Sequence, residues 1–421
     1  MSLWPSRTAV WMSSRDDISQ VDRAVGWALA GGLIEPGQAR RVRLAARLAG
    51  ALDAADGRPR ATSGMSLAGD LGISRAAVHK HIVQLHNLGF DVSAVPGKGY
   101  RLESPFSDLV VGEAVLPLLL GALARPTGCA GSVPDVDDAA CPLPGALFAG
   151  LPYHYERRSE STNPYLKTAA SAGSGAGSIA VTDHQIGGRG RLGRRWISEP
   201  GKDLTFSVLL RPDLAPGQAH LLSLAAAVAV AEVLETLSGT APAPGAAQAG
   251  PTVAVKWPND VLLGSRKVCG ILLEGSMDAD RLNWAVAGLG LNVNGAPGAA
   301  LEASGEDRSG RPEPVSLREA LGREVPRGWL LARLLERLTL RWGELETGIP
   351  APGCADLMTA LRERDALAGS QVIVRSGSRG REVVAAGIAT GIGREGELLV
   401  REPSGALKAV IAGEVTLAQM L

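Results

Sequence analysis

Residues 183–196 read DHQIGGRGRLGRRW. Gly187, Gly188, Gly190 and Gly193 interleave with Arg189, Arg191, Arg194 and Arg195. Glycines let a backbone approach a ligand closely, and arginines add charge, so the loop suits a phosphate. It lacks the spacing and the Gly-Lys-Ser/Thr end of a Walker loop, and no helical pattern follows directly, as a dinucleotide fingerprint requires. Taken alone, it reads equally as a basic patch for nucleic acid. A second candidate, VAVKWPNDVLLGSRKVCGILLE, spans 253–274. A strand ends at Lys256-Trp257, Pro258-Asn259-Asp260 turns the chain, and two strands follow across Gly264-Ser265. This order brings Lys256, Asn259, Asp260 and Lys267 to one end of a sheet. Each also has an ordinary reading, as a solvated hairpin lysine or a common Pro-Asn-Asp turn.

The third candidate is SLAGDLGISRAAVHKHIVQLHNLGF at 66–90. Ser66 is placed to cap a short helix carrying Leu67 and Leu71, Gly72 to turn, and Ser74 to cap a second helix. On the second helix Val78, Ile82 and Leu85 form one apolar stripe, leaving Arg75, His79, Lys80 and Gln84 outward. That spacing predicts a helix–turn–helix whose second helix enters a major groove. DVSAVPGKGYRLE follows, and Pro96-Gly97-Lys98-Gly99 makes a basic hairpin tip, or wing. Ser74, Arg75, His79, Lys80 and Lys98 are the candidate DNA contacts, with Arg101 a further basic residue. A winged helix used only for protein contacts remains the alternative. His79, His81 and His86 read as surface or groove residues without a metal.

Other elements must position these groups. Helical periodicity begins near Gln38, with Val42, Leu44, Ala45, Leu48 and Leu52 on one face. Residues before about 40 show no clear pattern. Residues 107–150 are rich in Gly, Pro and Ala and read as a linker with an irregular segment. Ala241–Pro251 and the stretch from Gly295 to about Pro314 read as surface insertions. Val208–Leu210, Val253–Lys256, Val261–Leu263 and Val268–Leu273 are strand-like. His220–Leu237 and 327–347 read as helices, the first largely buried. From Gly369 onward, short β runs at Gln371–Arg375, Val383–Ala386, Leu398–Val400 and Ala409–Ile411 suggest a small β-barrel.

The chain has 421 residues, enough for several domains. Lys+Arg and Asp+Glu both number 43, so any basic surface must be local. Cys129, Cys141, Cys269 and Cys354 lie far apart with no CxxC pair, which speaks for free thiols in a reducing cytoplasm and against a zinc site. Ala24–Ile34 is apolar but follows Asp16, Asp17 and Asp22, unlike a secretory signal. Val115–Ala124 is too short to span a bilayer. A cytoplasmic protein without a membrane partner is expected.

The pieces STN (161–163), GRGRLGRRW (188–196), KWPND (256–260), RKVCGILLE (266–274) and GLGLN (288–292) occur in this order. Together they resemble the signature blocks of biotin–protein ligases. SRAAVHKHI and VPGKGY are similar to the winged helix of the bifunctional ligases that double as biotin operon repressors. The C-terminal segment ending IAGEVTL is similar to their SH3-like domain. The resemblance spans roughly 40–106 and 155–421.

It implies an α+β protein. The expected parts are an N-terminal extension (1–37), a winged helix–turn–helix (38–106), a linker or insertion (107–152), a mixed α/β ligase domain of the biotin/lipoate type (153–365) and an SH3-like β-barrel (366–421). It implies biotin–[acetyl-CoA-carboxylase] ligase activity: biotin's carboxylate attacks the α-phosphate of ATP, and a lysine of the biotin carboxyl carrier protein then takes biotin from the adenylate. Arg189, Arg191, Lys267 and Asp260 are the catalytic candidates. Ser161, Thr162, Asn163, Gln185, Arg189, Gly190, Arg191 and Lys267 match the biotin side. Gly188, Arg191, Arg194, Lys256, Trp257, Asn259 and Asn292 fall to the ATP side, with Mg²⁺ on the triphosphate and no dedicated metal site. Asp260 is a metal-side acid or an acceptor-lysine base, and Trp196 and Trp257 are shields of the adenylate or plain core. The partners implied are the carrier protein, operator DNA and a second copy in a ligand-promoted homodimer, with biotinyl-AMP as corepressor. A ligase with an idle winged helix and a biotin-sensing factor without activity stand as alternatives.

Overall fold

The computed structural model describes residues 15–51, 60–104, 106–123, 151–239, 251–305, 310–350, 354–376 and 382–417. They fall into two compact units. One takes the N-terminal elements with Leu151–Tyr155 and Pro326–Glu336, and the other takes Glu156–Val325 and Arg337–Leu421.

The first unit begins with α1 (Arg15–Ala30) and α2 (Pro36–Gly50). Sequence reading found no pattern before about residue 40. Yet Val21, Ala24, Val25 and Ala28 are buried at helical spacing, a stripe of small residues with little hydrophobic contrast. Asp22 of α1 pairs with Arg47 of α2 at 2.7 Å. α3 (Gly64–Leu71) is capped by Ser63, not Ser66: its hydroxyl accepts from the Met65 amide. Gly72, at φ +62°, closes α3, and Ser74 caps α4 (Arg75–Asn87) by accepting from Ala77. Leu67, Val78, Ile82 and Leu85 share a core with Leu44, Phe90 and Leu102.

β1 (Val92–Val95) and β2 (Gly99–Leu102) form the antiparallel wing. Gly99 has φ +112°, and a Cβ there would lie 2.1 Å from the Thr62 carbonyl, so only glycine fits. The segment expected as a linker contains α5 (Gly112–Leu123), which packs on α1 and α2. Ala114, Val115, Leu116, Leu119 and Leu120 are all buried, as befits a helix apolar on every side. Arg41 of α2 pairs with buried Glu113 at 2.7 Å. The rest of that segment, 124–150, and most of the insertion at 241–251 lie outside the described residues. β3 (Tyr153–Glu156) follows.

The second unit is built on an antiparallel sheet. Its strands are β4 (Ile179–Thr182), β5 (Leu204–Leu210), β6 (Val253–Lys256), β7 (Asp260–Leu263), β8 (Arg266–Met277) and β9 (Leu282–Leu291). They run in the order β4-β5-β9-β8-β7-β6. β9 is central although its Ala/Gly-rich sequence gave no strand signal. β5 is buried along its whole length, so its residues do not alternate. α6 (Thr162–Ser171) packs on β4, β5 and β9, and α7 (His220–Ser238) packs on β6, β7 and β8. Pro216–Ser238 is the one stretch among the described residues long and apolar enough to cross a membrane, and most of it is buried in this core.

The remaining helices are α8 (Pro297–Ser304), α9 (Leu317–Leu321), α10 (Arg327–Thr347) and α11 (Leu357–Arg362). The C-terminal strands are β10 (Gln371–Ser376), β11 (Glu382–Ile392), β12 (Leu398–Arg401), β13 (Leu407–Val410) and β14 (Glu414–Leu417), in the order β13-β12-β11-β10-β14. Among the described residues β13 and β14 do not pair. The expected barrel is therefore an open five-stranded antiparallel sheet with two four-residue edge strands.

Candidate active site

One cavity in the second unit gathers most of the residues singled out in the sequence. Its wall takes in Ser161, Thr162, Asn163 and Gln185, then Arg189, Gly190, Arg191 and Arg194, then Lys256, Trp257, Asn259, Asp260, Lys267 and Asn292. Gly188 is not part of that wall. It braces the loop from behind, accepting from the Trp196 amide at 3.0 Å, and a Cβ there would lie 2.3 Å from the Trp196 carbonyl.

The cations converge at one end. A bulge between Val261 and Leu262 shifts the β7–β8 register, and Lys267 follows it. Its ammonium lies 2.6 Å from Asp260 and 6.0 Å from the Trp196 ring. Asp260 faces Lys256 across the β6–β7 hairpin. Burial alone would raise the Asp260 carboxyl, but attraction to Lys267 and Lys256 outweighs it and holds the group below its ordinary value. Arg191 donates to Asn259 Oδ1 at 3.0 Å and to the Gly413 carbonyl at 2.9 Å. Burial lowers its guanidinium pKa, against attraction from Asp260 and Glu414. Asn259 is locked in turn, donating to the Ile271 carbonyl while its own carbonyl accepts from the Ile271 amide.

Three of these cations lean on consecutive residues of the C-terminal segment. Arg191 meets Gly413, Arg194 pairs with Glu414, and Lys256 donates to the Val415 carbonyl at 2.8 Å. Lys256 is buried, and burial pushes its ammonium pKa down. Trp257 is buried too, its indole donating to the Gly396 carbonyl at 3.0 Å, so it is a core residue at the cavity floor.

A second group of lining residues is closely hydrogen-bonded. Gln185 Oε1 accepts from the Thr162 amide at 3.1 Å. Ser207 Oγ donates to Asn163 Oδ1 at 2.6 Å and lies 2.6 Å from Thr162 Oγ1. Asn163 donates to Glu274 at 2.8 Å, and Lys167 reaches the other Glu274 oxygen at 2.7 Å. Burial would raise the Glu274 carboxyl, but the hydrogen bonds from Lys167 and Asn163 outweigh it and hold it low. Sequence reading assigned no role to Ser207, Lys167 or Glu274. Each belongs to a pattern shared by ordinary strands and helices.

The Gly/Arg loop is more anchored than its composition suggests. Gly190 donates to the Arg194 carbonyl at 2.7 Å, and Arg189 bridges to Arg195, making a small hairpin. Its tip is a 3-10 turn, Arg191–Gly193, with Leu192 exposed at φ +57°, a strained conformation for leucine. Trp196 lies across paired Gly270 and Gly290, where a Cβ on Gly290 would meet its ring at 2.3 Å. The stretch expected as a surface insertion after Gly295 is instead cavity wall, through Pro297, Leu301 and residues 310–314. Lys267 holds its far end, donating its amide to Glu313 and accepting from Val315. Low-complexity composition concealed this role.

In the first unit, Ser74, Arg75, His79, Lys80 and Lys98 are all exposed. Ser74 spends its hydroxyl on the helix cap, and His79 Nδ1 lies 3.2 Å from the Tyr100 hydroxyl on the wing. Arg101 is paired with Glu103 at 2.7 Å. His81 is not a surface residue: it is buried against Gln84 at 2.9 Å. Among the described residues no three His, Cys, Asp or Glu side chains gather as a metal cage, and Cys269 and Cys354 are free thiols.

Residues 155–292 match the model of the Biotin/lipoate A/B protein ligase family, 56–101 an HTH domain, and 368–417 the Biotin protein ligase C terminal domain. The chain is 32% identical over 355 residues to the bifunctional ligase/repressor BirA of Salmonella typhimurium, covering 84% of this chain and 92% of that one. The Escherichia coli protein of the same name is 31% identical with the same coverage. For the Bacillus spizizenii one the match is 32% over 232 residues, 55% of this chain and 60% of that one. A solved biotin protein ligase from Aquifex aeolicus, in complex with biotin and ATP, is similar at TM-score 0.48 and 23% identity, covering 63% of this chain and 97% of that one.

Proposed function

The chain belongs to the bifunctional biotin–protein ligase/repressor family, and from that premise we propose how its cavity carries out the reaction. Biotin lies at the end formed by Ser161, Thr162, Asn163 and Gln185, and ATP lies against Asn259, Asn292 and Lys256. A biotin carboxylate oxygen attacks the α-phosphorus, the bond to pyrophosphate breaks, and biotinyl-5′-AMP remains. The neutral amine of a carrier-protein lysine then attacks the acyl carbon, losing a proton as the bond to AMP breaks. No protein nucleophile is needed. Alignment and positive charge around the α-phosphate do the catalysis.

The observation that carries this reading is the convergence of Arg191 and Lys267 beside Asn259 and Asp260, in the same cavity as the Thr162–Gln185 contact. Arg189 and Gly190 close over biotin, and Gly188 and Arg194 support the phosphate side. Asp260 holds the Lys267 ammonium ready. A carboxyl kept this acidic is a poor base, which favours the positioning role. Among the described residues the cavity's carboxylates are Asp260, paired with Lys267, Glu414, paired with Arg194, and Glu313. Mg²⁺ would be held chiefly by the phosphates, with Asp260 or Glu313 as an outer acceptor, and would neutralise triphosphate charge. Free thiols and the absence of a CxxC pair suit a reducing cytoplasm.

The winged helix reads operator DNA through Arg75, His79, Lys80 and Lys98, with Ser74 fixing the helix start. So few charges bind weakly alone, and two copies joined by the adenylate bind a two-fold site more tightly. The C-terminal sheet corresponds to the family's SH3-like domain. Incubation with ATP, Mg²⁺, biotin and a carrier domain, read by mass, tests the ligase. A carrier of unchanged mass removes it and leaves a biotin-sensing factor. DNA binding equal with and without biotinyl-AMP leaves a ligase with an idle winged helix.

A further inference from the structure

The exit of the Gly/Arg loop and the exit of β9 are joined by two carboxylates that neither the motifs nor the reaction account for. After Trp196 and Ile197 the chain turns through Glu199–Asp203. Asp203, 3% exposed, accepts from the Glu199 amide at 2.9 Å and from the Val293 amide at 3.0 Å, and the Gly295 amide also bonds to it. Asn294 donates to the Lys202 carbonyl at 2.9 Å, and the Ala296 amide donates to Glu199 Oε1. Four successive amides, Val293 to Ala296, therefore converge on one turn. Three of these amides bond to the two carboxylates, and the Asn294 amide bonds to the Lys202 carbonyl. A Cβ at Gly295 would lie 2.9 Å from Glu199 Oε1 and 3.0 Å from Asp203 Oδ1, so a side chain there would press on both carboxylates.

This clamp sits between cavity residues on both segments. Trp196 and Ile197 precede the turn; Asn292 precedes the captured amides, and Pro297 and Leu301 follow them. The Asn292 side chain makes longer contacts, to the Lys267 carbonyl at 3.5 Å and the Val315 carbonyl at 3.3 Å, while its amide donates to the Val268 carbonyl at 2.9 Å and its carbonyl accepts from Leu317 at 3.1 Å. We propose that Glu199 and Asp203 are positioning residues for the nucleotide side of the cavity, keeping Asn292 and α8 in register with Trp196. The proposal rests on the ATP-side assignment above.

Two acceptors rather than apolar packing have a chemical consequence. Burial, followed by repulsion from Glu199, outweighs the amide bonds and pushes the Asp203 carboxyl up to about 6. Glu199 is a charged group acting on it. The captured segment, Val293–Ala296, carries no charge, and the neighbouring Lys202 is an exposed side chain 3.9 Å from Glu324. Above that pH both Asp203 oxygens accept. Below it the carboxyl is neutral and its burial costs less. The packed turn raises this pKa and an opened turn would not, so protonation favours the packed turn, and the nucleotide side loosens as pH rises through about 6.

The test measures KM for ATP and for biotin, with kcat, from pH 5 to 8 on the full chain and on Asp203→Asn, alongside amide hydrogen exchange of the 292–297 segment. The carboxyl goes from about a tenth ionised at pH 5 to almost wholly ionised at pH 8, so KM for ATP should rise severalfold across that range while KM for biotin holds. The γ-phosphate of ATP titrates nearby, and Asp203→Asn, which cannot ionise, is the reference profile. Exchange at 292–297 should quicken, beyond the intrinsic pH effect, above pH 6 in the parent and not in Asp203→Asn. Glu199→Gln removes the repulsion and should move the step to lower pH, and it serves if Asp203→Asn fails to fold. Parent and variants sharing one KM profile and one exchange profile would overturn the proposal. A parent that makes no biotinyl-AMP would instead overturn the functional reading, and the exchange step would still decide the clamp.

Discussion

The Lys267 ammonium lies 2.6 Å from the Asp260 carboxylate, while Arg191, arriving from a loop more than 60 residues earlier, donates to Asn259 next to it. The pair keeps a cation where a phosphate must be neutralised and Asp260 ionised beneath it. Lys267→Ala should lower adenylate formation by 10²–10³-fold, about 2.7–4 kcal/mol, by analogy with a lost oxyanion donor. Pyrophosphate release is the measurement, with circular dichroism to show the fold is kept. A folded variant with near-normal release would remove Lys267 from the mechanism.

On the other side of the cavity, Gly288 lets Asn163 lie directly on β9. A Cβ at Gly288 would sit 2.2 Å from Asn163 Oδ1. Gly288→Ala must therefore displace Asn163 from Ser207 and Glu274. Losing one to two such hydrogen bonds, each about 1 kcal/mol net, should weaken biotin binding by roughly tenfold, with KM for ATP changed much less. Titration calorimetry with biotin alone checks this, and unchanged affinity contradicts the assignment of that end.

The exposed loop tip at Leu192 and Gly193 is followed by Arg194 and Arg195, and Arg194 is tied to Glu414. Limited trypsin digestion should cut the Glu414→Ala variant faster than the parent. Biotin with ATP should protect both, because the arginines then face the phosphate. Equal cleavage with and without the substrates would mean that the loop does not close on them.

On the winged helix, Lys80 is exposed and Arg101 is already committed to Glu103. Lys80→Ala should weaken binding to operator DNA and reduce the slope of log K against log salt by about one per copy. Arg101→Ala should change both less. Biotin transfer to the carrier should be the same in both variants. A larger loss from Arg101→Ala than from Lys80→Ala would reverse this ranking of the two residues.

The parts of this protein that depend on neighbours in the chain were readable from residue order. Ser74, Val78, Ile82 and Leu85 specified a capped helix with one apolar face, and Gly72 its preceding turn, because caps and 3.6-residue periodicity are local. Lys256, Asn259, Asp260 and Lys267 could be placed at one sheet end because two hairpins join them. Where composition lacked contrast, the reading failed. β9 is rich in Ala and Gly, α1 buries small residues, and the segment after Gly295 resembles a surface loop. Other relationships were decided only by the packed chain. Arg191 meets Gly413 across 222 positions, Lys256 meets Val415 across 159, and Asp203 captures the Val293 amide across 90. A buried donor must find an acceptor, but which one it finds depends on how the strands stack, and no local pattern encodes that.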